Sequence, residues 1–277
     1  MAVNFSEIKK WIPAPVVSHL RKISPNCIKL FGNYSNWSDA LRQCDGYNTD
    51  EIIEATLDAT QKVVSGQAVY SRDGELLDKV VYSWPVTSAL MWVAAQHNGN
   101  LNILDFGGSF GSSYFQNKKF LADLRNINWR IVEQAKVVKL GTKLIASEEI
   151  SFHGEIRECL DEDVPDIVLL SSVLQYLEDP FDLLSMISEY RVSFIVIDRT
   201  PFLVNPVKSY AKIQKVPKRL YPASYPCLLF SKSELINPML AKGYHIVEEF
   251  DSLDDLTPEA NWQGLILRYP ADNLLSQ

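Results

Sequence analysis

The sequence predicts an α/β protein with a doubly wound, mostly parallel seven-stranded sheet, preceded by an N-terminal helical cap. Three observations predict it. Short apolar runs recur at 101–106, 128–133, 149–153, 166–171, 192–198, 244–250 and 263–268. Helical patterns separate most of the first five runs, and strand–helix alternation implies a parallel sheet covered on both faces. The first run ends in Asp105 and passes directly into Gly107-Gly108-Ser109-Phe110-Gly111. Glycines there let the backbone turn tightly and approach a ligand, and the helix that follows offers unpaired N–H groups.

Residues 1–36 form a basic, apolar arm. Lys9, Lys10, Arg21, Lys22 and Lys29 face one acid, Glu7, so the segment carries +4 and leaves −11 for the remainder of a chain whose net charge is −7. Trp11, Ile12, Val16, Val17, Leu20, Ile28, Leu30 and Phe31 are mixed among the cations, while Pro13, Pro15 and Pro25 prevent one long helix. Such a segment either docks on the domain or lies on an anionic membrane face.

Residues 37–98 read as the helical cap. Asn48 or Thr49 can cap a helix whose first turn holds Asp50 and Glu51, with Ile53, Leu57 and Val64 on one face and Gly66 closing it. A polar loop, Ser71 to Glu75, leads towards a second helix that starts near Pro85 and runs to Gly99. The domain that carries the sheet occupies 99–277 and includes a basic, tyrosine-containing insertion at 201–231. The last two apolar runs lie close together and suit an antiparallel pair.

Composition sets bounds. At 277 residues and 47% apolar content there is room for one large domain, or a domain and a cap, with a substantial core. The acidic balance argues against general nucleic-acid binding. Cys27, Cys44, Cys159 and Cys227 are widely spaced, which suits reduced thiols and gives no zinc pattern. No apolar run approaches the ~20 residues of a membrane span, and Met1 to Glu7 lacks a signal-peptide core. A cytoplasmic location is expected.

The loop after Asp105 distinguishes among nucleotides. A dinucleotide fingerprint places glycines at G-x-G-x-x-G. Counting from Gly107, Ser109 and Ser112 occupy the other two positions; counting from Gly108, Phe110 and Ser113 do. No Gly-Lys-Ser/Thr follows, so a P-loop is excluded. An acid two residues before Gly107 would repel a pyrophosphate and suits a cation. S-adenosylmethionine carries an ammonium and a sulfonium and no phosphate. The second strand ends in Glu133, 28 residues after Asp105, where a carboxylate can accept both ribose hydroxyls of an adenosine. The third signal is a buried strand, a short loop and a helical turn across Asp166-Ile167-Val168-Leu169-Leu170-Ser171-Ser172-Val173-Leu174-Gln175-Tyr176-Leu177.

With these three segments the chain resembles the class I S-adenosylmethionine-dependent methyltransferases, whose fold is Rossmann-like. Tyr82-Ser83-Trp84-Pro85, Asp105-Phe106-Gly107-Gly108 and Leu174-Gln175-Tyr176-Leu177 further resemble a methyltransferase family found among bacterial surface-polysaccharide (O-antigen, capsule, lipopolysaccharide) biosynthesis genes. The resemblance covers about residues 37 to 270. One departure is Ser109, which stands where many class I enzymes have a middle glycine.

The resemblance implies a sheet order of 3-2-1-4-5-7-6 and S-adenosylmethionine as methyl donor, leaving as S-adenosylhomocysteine, with no metal. It implies a cofactor site drawn from Asp105, Gly107, Gly108, Ser109, Gly111, Glu133, Gln134, His153, Ser171, Ser172 and Gln175, with His153 beside the adenine. Tyr82 and Trp84 sit at a helix entrance that either closes over the site or packs as an aromatic staple.

Ligands of such sheets bind beyond the carboxyl ends of the strands, where the order reverses. Asp198, ending the fifth run, is the candidate base or acceptor-positioning group; it can equally cap a turn or pair with Arg199. Tyr176 is the second catalytic candidate. Arg199, Tyr210 and Tyr225 join Tyr82 and Trp84 as candidates for the acceptor. Lys208, Lys212, Lys215, Lys218 and Arg219 suit an anionic glycan, or simply a solvated helix face. The function expected is O-methylation of a sugar hydroxyl in a surface polysaccharide or its precursor. Alternatives are methylation of a small metabolite and a non-catalytic binding or scaffold module. For the arm, peripheral contact with the inner membrane or a polysaccharide-assembly complex stays open.

Overall fold

A computed structural model describes residues 28–44, 50–205, 208–216, 223–252, 254 and 256–270. The elements are β1 (Lys29–Tyr34), α1 (Trp37–Leu41), α2 (Asp50–Val64), β2 (Tyr70–Arg72), β3 (Glu75–Leu77), α3 (Trp84–Gln96), β4 (Asn100–Phe106), α4 (Ser112–Leu121), β5 (Asn126–Val132), α5 (Ala135–Leu144), β6 (Ile150–His153), α6 (Ile156–Glu162) and β7 (Ile167–Ser171). A 3-10 turn (Leu174–Tyr176) follows, then α7 (Pro180–Glu189), β8 (Phe194–Leu203), β9 (Tyr210–Val216), β10 (Ala223–Leu229), α8 (Lys232–Ala241), β11 (His245–Asp251) and β12 (Ala260–Arg268).

Seven strands form the main sheet in the order β6-β5-β4-β7-β8-β12-β11. The first five are parallel, and β12 runs antiparallel to both neighbours. Counted along the chain this is 3-2-1-4-5-7-6, the order of class I methyltransferases. Both faces are buried, so the central strands read as continuous apolar runs. In β7, Ile167 and Leu169 join one cluster with α3, α4 and α5, while Val168 and Leu170 join another with α6, α7 and α8. The strand period of two thus sorts one sequence between two helical layers.

Three segments differ from the sequence reading. The polar loop at Ser71–Glu75 is the tip of a hairpin: β2 pairs with β3, and Asp73 and Gly74 both take positive φ (52° and 79°). That is the two-residue turn for which Asp-Gly is suited. The basic insertion supplies two strands, β9 and β10, of a second sheet that β1 from the arm completes, and not a helix face. The lysine spacing imitates a helix, yet Lys212 is 6% exposed because its ammonium reaches Glu259 at 2.7 Å. The fifth strand does not end at Asp198. It continues to Leu203 by pairing with β12, across an irregularity opposite Arg199, whose φ is +54°.

The arm upstream of residue 28, the caps Asn48 and Thr49, and Lys218 and Arg219 lie outside the described residues. Among the described residues no helix is long and apolar enough to cross a membrane.

Close approach fixes the position of α5 over β6. A Cβ at Gly141 would lie 2.5 Å from the Phe152 ring. Overpacking costs about 1–3 kcal/mol, against about 1 kcal/mol gained by alanine in a helix interior. Gly141→Ala is therefore expected to lower stability to urea, and adding Phe152→Leu to recover part of the loss. A more stable single variant would contradict the contact.

Candidate active site

The switch point of the sheet lies between β4 and β7, and their carboxyl ends open onto two adjoining cavities. The loop after β4 is bent by three left-handed residues, Gly107 (φ +71°), Ser109 (φ +52°) and Gly111 (φ +88°). A Cβ at Gly107 would lie 2.4 Å from Val173 Cγ2, and one at Gly108 would lie 2.5 Å from the Asp105 carboxyl carbon. Ser109 meets the backbone demand that a middle glycine meets elsewhere. Its amide donates to Glu133 Oε1 at 3.1 Å.

Glu133 receives a second amide, from Gln134, on Oε2 at 2.9 Å. Burial pushes its carboxyl above the usual carboxylate range, and the two amides oppose that shift. Glu133 and Gln134 line the first cavity with Phe106, Gly107, Val132, Gly154, Ser172, Val173, Tyr176 and Leu177. The cavity thus offers apolar walls for a flat ring and a fixed carboxylate for hydroxyls. Val173 and Leu177 belong to a segment that the sequence flagged for other residues. Gly154 was missed in favour of its neighbour.

Four residues expected at the cofactor line neither cavity. Asp105 is 1% exposed and lines neither cavity; it lies beneath Gly108 and accepts the Trp129 indole N–H at 3.1 Å. Burial raises its carboxyl to about 7, the indole bond lowering it and the charge of Glu133 raising it further. His153 lines neither cavity, and its Nε2 lies 2.8 Å from Ser151 Oγ. Gln175 is fully buried behind the wall, its amide donating to Ser172 Oγ (3.3 Å) and to the Arg199 carbonyl (3.1 Å). Gly111 caps α4 from behind the cavity wall, which Ser112 and Ser113 reach instead.

The second cavity shares Gly107, Ser172 and Tyr176 with the first. Gly108, Ser109, Ser171 and Asp198 form its floor, and Tyr70, Arg72, Asp73, Arg199, Gln214, Tyr225, Asp254 and Trp262 its walls. Asp198 is 3% exposed and accepts from Ser171 Oγ (3.3 Å) and Ser252 Oγ (3.0 Å). Burial raises its carboxyl, with the Arg199 charge opposing. Arg199 does not pair with Asp198. Its Nε reaches Asp254 at 2.5 Å and its Nη2 reaches Asp73 at 2.6 Å. The cap hairpin and the β11–β12 loop are thereby tied across the cavity. Tyr70, pushed up to about 12 by burial, stands among the charges of Arg199, Arg72, Asp73 and Asp198.

Tyr176 donates to Gln214 Oε1 at 3.1 Å, Gln214 donates to the Tyr225 hydroxyl at 3.1 Å, and the two tyrosine rings meet edge to face at 5.3 Å. Tyr210 lies off the cavity, its hydroxyl donating to Glu259 at 2.6 Å. Tyr82 and Trp84 also lie off it. They pack on each other and on Phe120, with ring centroids 4.8–5.7 Å apart, while Ser83 between them lines the wall. The cap hairpin and Trp262 were missed. An Asp-Gly pair signals the hairpin turn, but nothing local signals its partner Arg199, 126 residues on.

No protein-family model and no curated protein matches the chain. Solved structures do. The N-terminal domain of EvdMO1, determined in the presence of SAH and D-fucose, is 13% identical, covering 80% of this chain and 100% of that one, with a TM-score of 0.47. CalS10, an amino pentose methyltransferase from Micromonospora echinaspora determined with SAM, is 13% identical over 68% of this chain and 92% of that one, at 0.44. An S-adenosylmethionine-dependent methyltransferase from Clostridium acetobutylicum is 8% identical over 69% and 93%, at 0.43. Likeness this distant assigns no residue and no substrate.

The buried Asp105 gives a pH test. Its folded pKa lies about three units above the ordinary carboxylate value, so the folded state holds a proton that the unfolded chain has released. Stability contributed by that proton is present below about pH 4 and lost as pH climbs towards 7. Asp105→Asn keeps an acceptor for Trp129 and removes the titration. Urea unfolding is expected to show the variant similar to the parent at pH 4.5 and more stable at pH 8, by up to about 4 kcal/mol. A variant less stable at pH 8 would refute the assignment.

Proposed function

We propose that the protein transfers a methyl group from S-adenosylmethionine to a hydroxyl of a small hydroxylated acceptor, the favoured acceptor being a sugar of a bacterial surface polysaccharide or its precursor. The observation that carries the reading is Glu133, held by the Ser109 and Gln134 amides at the edge of a cavity that opens beside buried Asp198. The residues present suit that donor. Each Glu133 oxygen retains a free lone pair for a ribose hydroxyl. Val132, Val173 and Leu177 suit an adenine, and the glycine loop, where Cβ atoms would collide, suits a chain passing close to the backbone. The polysaccharide assignment rests on the motif resemblance.

S-adenosylmethionine supplies an activated methyl on a sulfonium. Displacement at that carbon is in line, so alignment is most of what a protein contributes. The acceptor enters by the second cavity, where Ser171, Asp198, Gln214 and the tyrosines present donors and acceptors. The attacking hydroxyl oxygen would form the new C–O bond as the methyl–sulfur bond breaks, its electron pair staying on sulfur so that S-adenosylhomocysteine leaves, and the hydroxyl proton would pass to the Asp198 carboxylate. Ser171 and Ser252 hold that carboxylate in place. Its raised pKa makes it a better base than an exposed aspartate.

Three outcomes are expected. Glu133→Ala weakens S-adenosylmethionine binding by calorimetry at least roughly tenfold, the loss expected for charge-assisted hydrogen bonds of about 1.5–3 kcal/mol; unchanged affinity removes Glu133 from the site. Asp198→Asn lowers turnover by roughly 100-fold or more. The parent's rate falls as pH drops through the raised Asp198 pKa, because the base must be ionised. Full turnover in the variant would end the base role, leaving Asp198 as a structural acceptor for Ser171 and Ser252. Failure of the parent to bind S-adenosylmethionine would overturn the whole reading.

A further inference from the structure

The carboxylates around the second cavity have their donors already. Asp198 receives Ser171 and Ser252, and Asp73 and Asp254 hold Arg199. The donors are less well matched. Trp262 is 4% exposed, lines the cavity, and its indole Nε1–H has no acceptor among the described residues. Arg72 also lines the cavity, and its Nη1 is likewise buried without a partner. Among the described ion pairs, Arg72 has no carboxylate of its own.

A buried donor left unpaired costs the desolvation of that group, and a charged one costs more. A ligand that reached these two groups would gain by bringing acceptor atoms. A hydroxyl oxygen would satisfy the indole. The guanidinium is a planar fork of donors bearing a full charge, and its matching partner is a carboxylate or a phosphoryl group. Arg72 ends β2, next to Asp73, and the Asp73–Arg199 ion pair holds that turn against the sheet. Among the described residues of the insertion, Lys208, Lys212 and Lys215 do not line this cavity, and Lys212 is spent on Glu259.

We propose that Arg72 and Trp262 form a recognition site for an oxyanion, a carboxylate or a phosphoryl group, carried by the acceptor molecule. The inference deepens the acceptor reading of this cavity and rests on it. Arg72 binds the anion and Trp262 donates to an acceptor oxygen, so the pair selects the acceptor and takes no part in the chemistry.

The test follows the indole N–H signal of Trp262 in 15N-labelled full-length protein, identified by its loss in Trp262→Phe. The probes are D-glucose, D-glucuronate and glucose 1-phosphate, which present the same ring with no anion, a carboxylate or a phosphate. The expected result is saturable movement of the signal by at least one anionic probe, binding at least tenfold tighter than glucose. The probe that binds tells carboxylate from phosphoryl. Arg72→Gln is expected to reduce that binding to the level of glucose, with Arg72→Lys retaining part of it. Glucose binding as tightly as both anions, no binding of either anion, or unchanged anion binding by Arg72→Gln would overturn the proposal. Calorimetry with S-adenosylmethionine on Arg72→Gln checks that the variant is folded and is expected to match the parent. Should the parent bind the anions selectively but not S-adenosylmethionine, the methyl-transfer reading falls and the oxyanion site stands.

Discussion

The Arg199 guanidinium joins three parts of the molecule that the chain keeps far apart. It leaves the fifth strand of the sheet, meets Asp254 in the loop before β12, and meets Asp73 at the tip of the cap hairpin. The second cavity exists because these parts are drawn together. The two ion pairs are unequal. The Asp254 side chain is 14% exposed, and losing it would strand a buried charge at a cost of about 3–5 kcal/mol. Asp73 is 57% exposed, so solvent screens its share to roughly the 0–1 kcal/mol of a surface pair. The sheet side of the clasp is therefore the anchor, and the hairpin side is the one that can open at small cost.

The backbone near the clasp is held in sparsely populated conformations. Ser109, Ser172 and Arg199 are non-glycine residues at φ between +52° and +55°, and each lies just beyond, or within a bulge of, a strand bordering the cavities. Such residues cost of order 1–3 kcal/mol each and persist only where the surroundings over-determine them. Here they do. The Ser109 amide is fixed by Glu133, the Ser172 amide by the Asp198 carbonyl at 2.9 Å, and the Arg199 amide by Ser252 at 2.9 Å. Gln175, fully buried, reaches both Ser172 and the Arg199 carbonyl with one amide group. A residue expected to touch a ligand instead holds two that line the cavity.

What the sequence disclosed depended on how locally each feature is encoded. Apolar runs bounded by turn residues located the seven sheet strands to within a few residues, and the fifth ran on because pairing with a distant β12 decides where it stops. Glu133 was legible because strand and acid are adjacent in the chain. The depth of Asp105 was not, since it depends on Trp129 crossing beneath the loop from the next strand. The cap hairpin escaped because strands of three residues are too short to show alternation, although Asp-Gly was visible. The lysine spacing in the insertion read as a solvated helix face, whereas the segment is a strand in which Glu259, a residue outside it, pairs with Lys212 and buries it.

The two acids at the head of the sheet illustrate how position divides similar groups. Asp105 sits dry beneath the loop with one indole donor, and its carboxyl rises to about 7. Glu133 is partly exposed and has two amide donors that oppose the effect of burial. Each amide bond favours the ionised form and so opposes the upward push of burial on the acid that faces the cavity, whereas the buried acid has only the indole to oppose it. Gly108 links them, because its missing side chain is what allows the loop to rest on Asp105. The Asp-x-Gly pattern that marks this loop in the sequence therefore reports two things at once. The aspartate sets the height of the loop, and the loop in turn presents the Ser109 amide that fixes Glu133. The acid that lines the cavity thus stands one residue type and one strand away from the motif that advertises it.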